Sequence, residues 1–240
     1  MNDLSDQKIL VVSAHPDDET LGCGGTIARY LHEGADVRVI FMAEGITARF
    51  DDTELQTEKV KKISHIRNSN AIKDLSCLTL DEKNIYLNDN YCCRLDTVPQ
   101  INLVKLIEHH IKDFKPDIVF THSKNDTNID HRITFQVSLA ATRPIFDKTI
   151  KAIYSYEVLS STEWNYPNPF LANHFIDISD YIDKKILAMQ AYEDEMREIP
   201  HPRSEEAIKA LASYRGCQSG LRYAEAFTLI RSIANIFLSI

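Results

Sequence analysis

The segment His15-Pro16-Asp17-Asp18-Glu19 puts three acidic side chains in a row beside an imidazole. Carboxylates this close repel one another, and a cation offsets the repulsion. His15 and Asp18 stand three residues apart, and Pro16 stiffens the turn between them. Two such groups can reach one ion. A distant histidine would complete a site of two imidazoles and one carboxylate, and His131, in the pair Asp130-His131, is the natural candidate. Such a donor set with an open fourth position suits a catalytic zinc ion. An ordinary helix cap would need one acid here, so a second would be redundant.

These side chains need elements to position them. Lys8 to Ser13 (KILVVS) is a short apolar run of the kind found in buried parallel strands. Asp18 to Glu33 reads as a helix stopped by Gly34, and Val37 to Met42 as a second strand. Asp52 to Leu75 reads as a long polar helix, and Cys77–Leu80 and Ile85–Leu87 as weak strands. Helix Ile101–Phe114, strand Asp117–Thr121, helix Arg132–Thr142 and strand Ala152–Val158 follow. Tyr181–Arg197 and Ser204–Arg215 are amphipathic helices, and Arg222–Ile236 holds a final strand–helix or helical element. This alternation predicts right-handed βαβ units in a Rossmann-like α/β fold, a mostly parallel sheet flanked by helices. We expect one domain over residues 1–240, with the last ~90 residues covering the active face.

In open α/β sheets, ligands bind beyond the carboxyl ends of the strands. After the first strand come His15 to Glu19, after the second Glu44 to Arg49, and after the Asp117–Thr121 strand His122 to His131. Three strand ends thus supply His, Asp and Arg to one edge. Rival motifs fail. Gly22-Cys23-Gly24-Gly25 lacks the glycine at Ile27 that a dinucleotide fingerprint needs, and reads as close packing of helix on strand. His32-Glu33 has no histidine at Asp36, and neither a nucleophile elbow nor a phosphate loop is present.

Composition sets the outer limits. The chain has 240 residues, 44% hydrophobic and 26% charged, ordinary values for a soluble globular protein. The net charge of −8 disfavours wholesale binding of nucleic acid. No apolar stretch approaches the roughly 18 residues of a membrane helix, and residues 1–7 do not resemble a signal peptide. Five cysteines, an odd count without C-x-x-C, argue against a disulfide framework. We expect a cytoplasmic protein whose cysteines are buried small hydrophobes.

The string Ala14-His15-Pro16-Asp17-Asp18-Glu19, with Asp130-His131 after a later strand, resembles the PIG-L/LmbE-like zinc N-deacetylases. Tyr223-Ala224-Glu225-Ala226-Phe227 extends the likeness over nearly the whole chain. The first string is highly specific; the others are supporting matches. Members deacetylate N-acetylglucosamine groups on thiol precursors, glycolipids, chitin oligomers or antibiotic intermediates. The resemblance implies that His15, Asp18 and His131 hold one Zn2+ per chain, with other divalent metals as substitutes. It implies Asp17 as general base and Asp130 facing the site, orienting substrate or a neighbouring side chain. Arg49 and Asp89 would contact an N-acetylated sugar. Family members are often trimers or hexamers, so a homo-oligomer is expected, with Leu229–Ile240 as interface or core.

One position departs from the family pattern. The string H-x-D-H is here Asn128-Ile129-Asp130-His131. An asparagine amide donates a hydrogen bond to an oxyanion but carries no proton to a leaving amine. Asp17 would then serve as base and later as acid, with His122 the second candidate for the acid. Aromatic Trp164, Tyr166 and Phe170 sit on a proline-rich stretch suited either to stacking on a sugar or to packing. Alternatives are an Fe(II) oxygenase, an amidohydrolase acting on another N-acyl or non-sugar amine, and a non-catalytic metal- or sugar-binding member.

Overall fold

The computed structural model describes residues 4–144 and 150–233. Lys8–Ser13 (β1), Asp36–Phe41 (β2), Ile85–Tyr86 (β3), Ile118–His122 (β4) and Ala152–Tyr156 (β5) run parallel. His174–Asp177 (β6) and Ala224–Ser232 (β7) complete a seven-stranded sheet in the order β3-β2-β1-β4-β5-β7-β6. β7 is antiparallel to both of its neighbours. The expected single-domain, mostly parallel α/β architecture is therefore what the chain adopts.

Both faces of the sheet are covered, which is why β1 reads as a continuous apolar run. Ile9 and Val11 pack into one core with Leu21, Ile27, Tyr156 and Phe227. Leu10 and Val12 point the other way, to Ile107, Ile111 and Val137. Helices Asp18–His32 (α1) and Glu58–Cys77 (α2) belong to the first layer, Gln100–Phe114 (α3) and Ile129–Ala141 (α4) to the second. Ile182–Met189 (α5) and Glu205–Ser219 (α6) extend the first layer. No helix among the described residues is long and apolar enough to cross a membrane.

Several boundaries differ from expectation for local reasons. α2 starts at Glu58 because Thr57 caps it, its hydroxyl accepting from the Val60 amide at 3.4 Å. Cys77–Leu80 is no strand: it is the end of α2 and a turn through Thr79 at φ 73°. Tyr181–Arg197 is helical only to Met189; beyond it, turns let Tyr192 reach Glu19 at 3.3 Å and Glu195 reach a group of arginines. β6 went unread because His174-Phe175-Ile176-Asp177 is too short to show a period. Within the stretch expected to hold a strand–helix or helical element, Ala224–Ser232 is the strand β7, and residues 234–240 lie outside the described residues. Ser204 caps α6, accepting from Ala207 N–H at 3.0 Å.

α1 is two helical pieces joined at Cys23, whose φ of −147° breaks the turn. The freed amides of Gly25 and Thr26 donate to the Glu225 carboxylate of β7 at 2.9 and 2.7 Å, and Lys185 Nζ donates to the same group at 2.6 Å. Gly22 lets this helix lie against β5: a Cβ there would stand 2.3 Å from the buried Tyr156 ring. Gly22→Ala is expected to cost about 1–3 kcal/mol, the usual range for overpacking, read as a lower urea midpoint. A wild-type midpoint would mean that the Tyr156 ring yields without cost.

Candidate functional site

β1 and β4 are neighbours in the sheet, but their chains leave toward opposite faces, α1 to one and α4 to the other. That switch of direction opens a crevice at the carboxyl ends. Asp17 turns the chain into α1 with φ 113°, a left-handed value unusual for a side-chain-bearing residue. It occupies the N-cap position but makes no side-chain cap, so the capping role is not what its carboxylate does. The Asp18 carboxylate instead folds back to accept His15 N–H at 3.0 Å.

The crevice collects His15, Asp18 and His131. Their donor atoms all lie within 4.8 Å of one another, and all three residues are buried. Asp18 Oδ2 is 3.2 Å from His15 Nδ1 and 3.1 Å from His131 Nε2. The remaining nitrogen of each imidazole faces a buried carboxylate: His15 Nε2 meets Asp130 at 2.9 Å and His131 Nδ1 meets Asp126 at 3.1 Å. A carboxylate behind each histidine fixes ring orientation and tautomer, as in carboxylate–histidine–metal triads. Asp126 is held by Ser161 and by the Thr162 hydroxyl at 2.6 Å.

Burial would keep these groups neutral, yet their neighbours outweigh it. His131, beside Asp18 and Asp126, is raised to about 9 despite burial. Asp18 is held well below the carboxylate range, burial notwithstanding, by His131, His15 and His122. Asp17 differs. Burial chiefly raises its carboxyl to about 6, against the pull of Arg203 and Arg67 and with the push of Asp18. A carboxyl tuned toward neutrality suits proton transfer.

A cavity of about 820 Å³ opens over this cluster, and His15, Asp17, Asp18, Arg49, Asn128 and His131 all line it. Asn128 caps α4, its Oδ1 accepting from Asp130 N–H at 2.9 Å. α4 therefore begins three residues earlier than expected, and His131 lies in its first turn. Trp164 lines the cavity, whereas Tyr166 is 81% exposed and the Phe170 ring packs against the Arg215 guanidinium.

Three expected residues do not line this cavity. His122 is fully buried, its Nε2 accepting Ala14 N–H at 2.8 Å. Burial first, then His131, holds its pKa well below that of a free imidazole. Its ring centroid lies 4.1 Å from that of His131 and 4.8 Å from that of Tyr156, so it packs behind the cluster. Asp130 is also fully buried, and its oxygens are taken by His15, Cys93 N–H at 2.6 Å and Leu95 N–H at 3.0 Å. It meets the His15 ring and does not line the cavity. Asp89 lines a separate cavity of about 460 Å³ with Glu44, His65 and Tyr91, outside the one that holds His15.

Sequence reasoning missed Asp126, Arg67, Glu195 and Arg203. Glu195 accepts from Arg49 and Arg67, and from Arg203 Nη1 at 2.6 Å. Arg203 Nη1 also donates to Asp17 at 2.7 Å. Asp126 carried the one usable signal, an acid five residues before His131 in a loop that follows a strand. Arg67 fell within the expected polar helix Asp52–Leu75 and Glu195 within the expected helix Tyr181–Arg197, and Arg203 fell between two expected helices. The cysteines also differ from expectation: Cys93 and Cys217 are exposed, and Cys92 and Cys93 line the site cavity.

The family model described as PIG-L, GlcNAc-PI de-N-acetylase, matches residues 10–142. The diacetylchitobiose deacetylase of Thermococcus kodakarensis is 24% identical, over 98% of this chain and 86% of its own length. The solved N,N'-diacetylchitobiose deacetylase of Pyrococcus horikoshii superposes with a TM-score of 0.75 at 21% identity, covering 96% of this chain and 86% of that one. The 4-carboxy-2-hydroxymuconate hydratase of Pseudomonas putida KT2440 shares the fold with a TM-score of 0.72 at 19% identity, over 97% of this chain and 100% of its own. Because the match over residues 10–142 takes in the His15–Asp18 turn, β4 and His131, and spans more than half of the sequence, the chain belongs to the PIG-L family.

Proposed function

We propose that this chain is a zinc-dependent hydrolase that removes the N-acetyl group from an amino sugar or sugar conjugate. The observation that carries the reading is the convergence of His15, Asp18 and His131 within 4.8 Å, with Asp17 beside them on the same cavity wall. The family description and the chitobiose deacetylases support the amide and the sugar.

The donor set fits a divalent ion. Two imidazoles, each backed by a carboxylate, and one carboxylate, all lining the cavity, are the donors that would hold a catalytic zinc ion. A zinc ion held there supplies Lewis-acid polarisation of the amide carbonyl and acidifies water to a pKa of about 7. Asp17 takes the proton from the water that attacks the acetyl carbon. Arg203, bonded to Asp17 at 2.7 Å, holds the carboxylate in one orientation during that transfer. Asn128 presents its amide to the cavity, and with Oδ1 committed to capping, Nδ2 is the atom that donates to the carbonyl oxygen as charge develops. Such a donor is worth about 2.7–4 kcal/mol. Asp17 returns its proton to the nitrogen as the C–N bond breaks, giving acetate and a free amine. Arg49, half exposed at the rim, and the Trp164 ring are placed to hold the sugar.

The assay is acetate release from N,N'-diacetylchitobiose, N-acetylglucosamine and nucleotide derivatives of N-acetyl sugars. Release from one of them, abolished by chelator and restored by zinc, is expected; no release with one ion bound per chain would overturn the sugar N-deacetylase reading. Asp17→Asn is expected to keep one zinc per chain and lose activity by roughly a hundredfold or more. Full turnover in that variant removes Asp17 from the proton path. Asn128→Ser keeps an acceptor for capping and removes the amide donor. Its kcat is expected to fall on the order of a hundredfold at unchanged zinc content, and a wild-type kcat would mean that Nδ2 does not meet the carbonyl oxygen.

A further inference from the structure

Cys92 and Cys93 line the cavity and take no part in the reaction derived above. Adjacent residues of an extended chain send their side chains to opposite sides. Here Cys93 adopts φ 57°, and the two sulfurs come to lie 3.8 Å apart. Two sulfurs bound to one tetrahedral ion at about 2.3 Å stand about 3.8 Å from each other. The spacing is therefore that of a ready pair of ligands. The pair is not alone: one donor atom each from Cys92, Cys93, His15 and Asp130 lie within 4.8 Å of one another.

The segment is anchored before any ligand arrives. Cys92 N–H donates to Glu44 Oε1 at 3.0 Å and to the Thr47 hydroxyl at 2.8 Å, and Cys93 N–H to Asp130 at 2.6 Å. Backbone held by buried acids on both sides keeps the sulfurs in place. Two thiolates with one imidazole and one carboxylate form a soft donor set, unlike the harder nitrogen and oxygen donors at Asp18.

We propose that Cys92, Cys93, Asp130 and Nε2 of His15 form a second cation site, selective for a thiophilic ion such as Cd2+ or Zn2+, that competes with the first site for His15. Binding exchanges two thiol protons to solvent for two metal–sulfur bonds. The competition follows from the imidazole. A neutral ring has one free lone pair; an ion on Nε2 leaves the proton on Nδ1, the atom aimed at Asp18. Only this competition, not the site itself, rests on reading His15 as a ligand of the first ion.

The test is titration of the metal-free, reduced full chain with cadmium chloride, following thiolate-to-cadmium charge-transfer absorption. The wild type is expected to develop the band. Asp18→Asn combined with His131→Gln, which dismantles the first site, is expected to keep it, and Cys92→Ser combined with Cys93→Ser to lose it. No band in the wild type overturns the proposal. A band that disappears when Asp18 and His131 are replaced overturns it as well, since the sulfurs would then serve the first ion. Cadmium NMR on the wild type needs no variant to fold. A thiolate-ligated resonance distinct from a nitrogen- and oxygen-ligated one supports the second site, and nitrogen- and oxygen-ligated signals alone overturn it. Loss of deacetylase activity would bear on neither readout.

Discussion

Four carboxylates, Asp17, Asp18, Asp126 and Asp130, are buried around two imidazoles, and burial makes an unpartnered charge costly at each. The partners come from every part of the chain. Asp18 is met by His15 and His131, Asp126 by His131, Ser161 and Thr162, and Asp130 by His15 and the amides of Cys93 and Leu95. Asp17 is met by Arg203, far along the chain. The β1–β4 seam sets the two groups of acids side by side, and the loops after β5 and α5 meet it through the Ser161 and Thr162 hydroxyls on Asp126 and through Arg203 on Asp17. The cavity wall is thus an electrostatic closure as much as a packing one.

The sequence was most legible where one physical signal acted alone. β1 announced itself because both of its faces are buried, and α3 because one apolar stripe repeats from Leu103 to Phe114. His15, Asp18 and His131 were legible because acids crowded at a strand end repel one another unless a cation lies between them. What stayed hidden depended on distant partners. Glu195 is an ordinary polar residue until three arginines from other segments converge on it. His122 and Asp130 were recognised as belonging to the site, but only burial and bonding separate supporting the cluster from facing the cavity. Asp89 was placed by a short loop resemblance, and its flanking Asn88 and Asn90 tie that loop to the carbonyls of Phe41 and Met42, one cavity away.

Fold alone would not identify the reaction. A hydratase and a chitobiose deacetylase superpose on this chain almost equally well. The case for amide hydrolysis rests on side chains: two carboxylate-backed histidines, an acid between them, and a second acid, Asp17, which the strained backbone turns to the opposite duty. Adjacent Asp17 and Asp18 thereby occupy unlike environments, one raised toward neutrality and one held ionised. On the proposed reading, two like groups given different surroundings would divide holding a cation from moving a proton.

The join at Cys23 has a consequence for the order in which the molecule is made. The second piece of α1 takes its terminal hydrogen bonds from Glu225, some two hundred residues downstream. Those two amides cannot be satisfied in this way until β7 has been synthesised, and a contact between such distant residues closes late. The helix that carries Asp18 is therefore finished by a strand that leaves the ribosome some two hundred residues later. A nascent chain that already contains His15, Asp18 and His131 holds the three donors of the candidate metal site without the architecture that aligns them, and their alignment arrives together with completion of the sheet's far side.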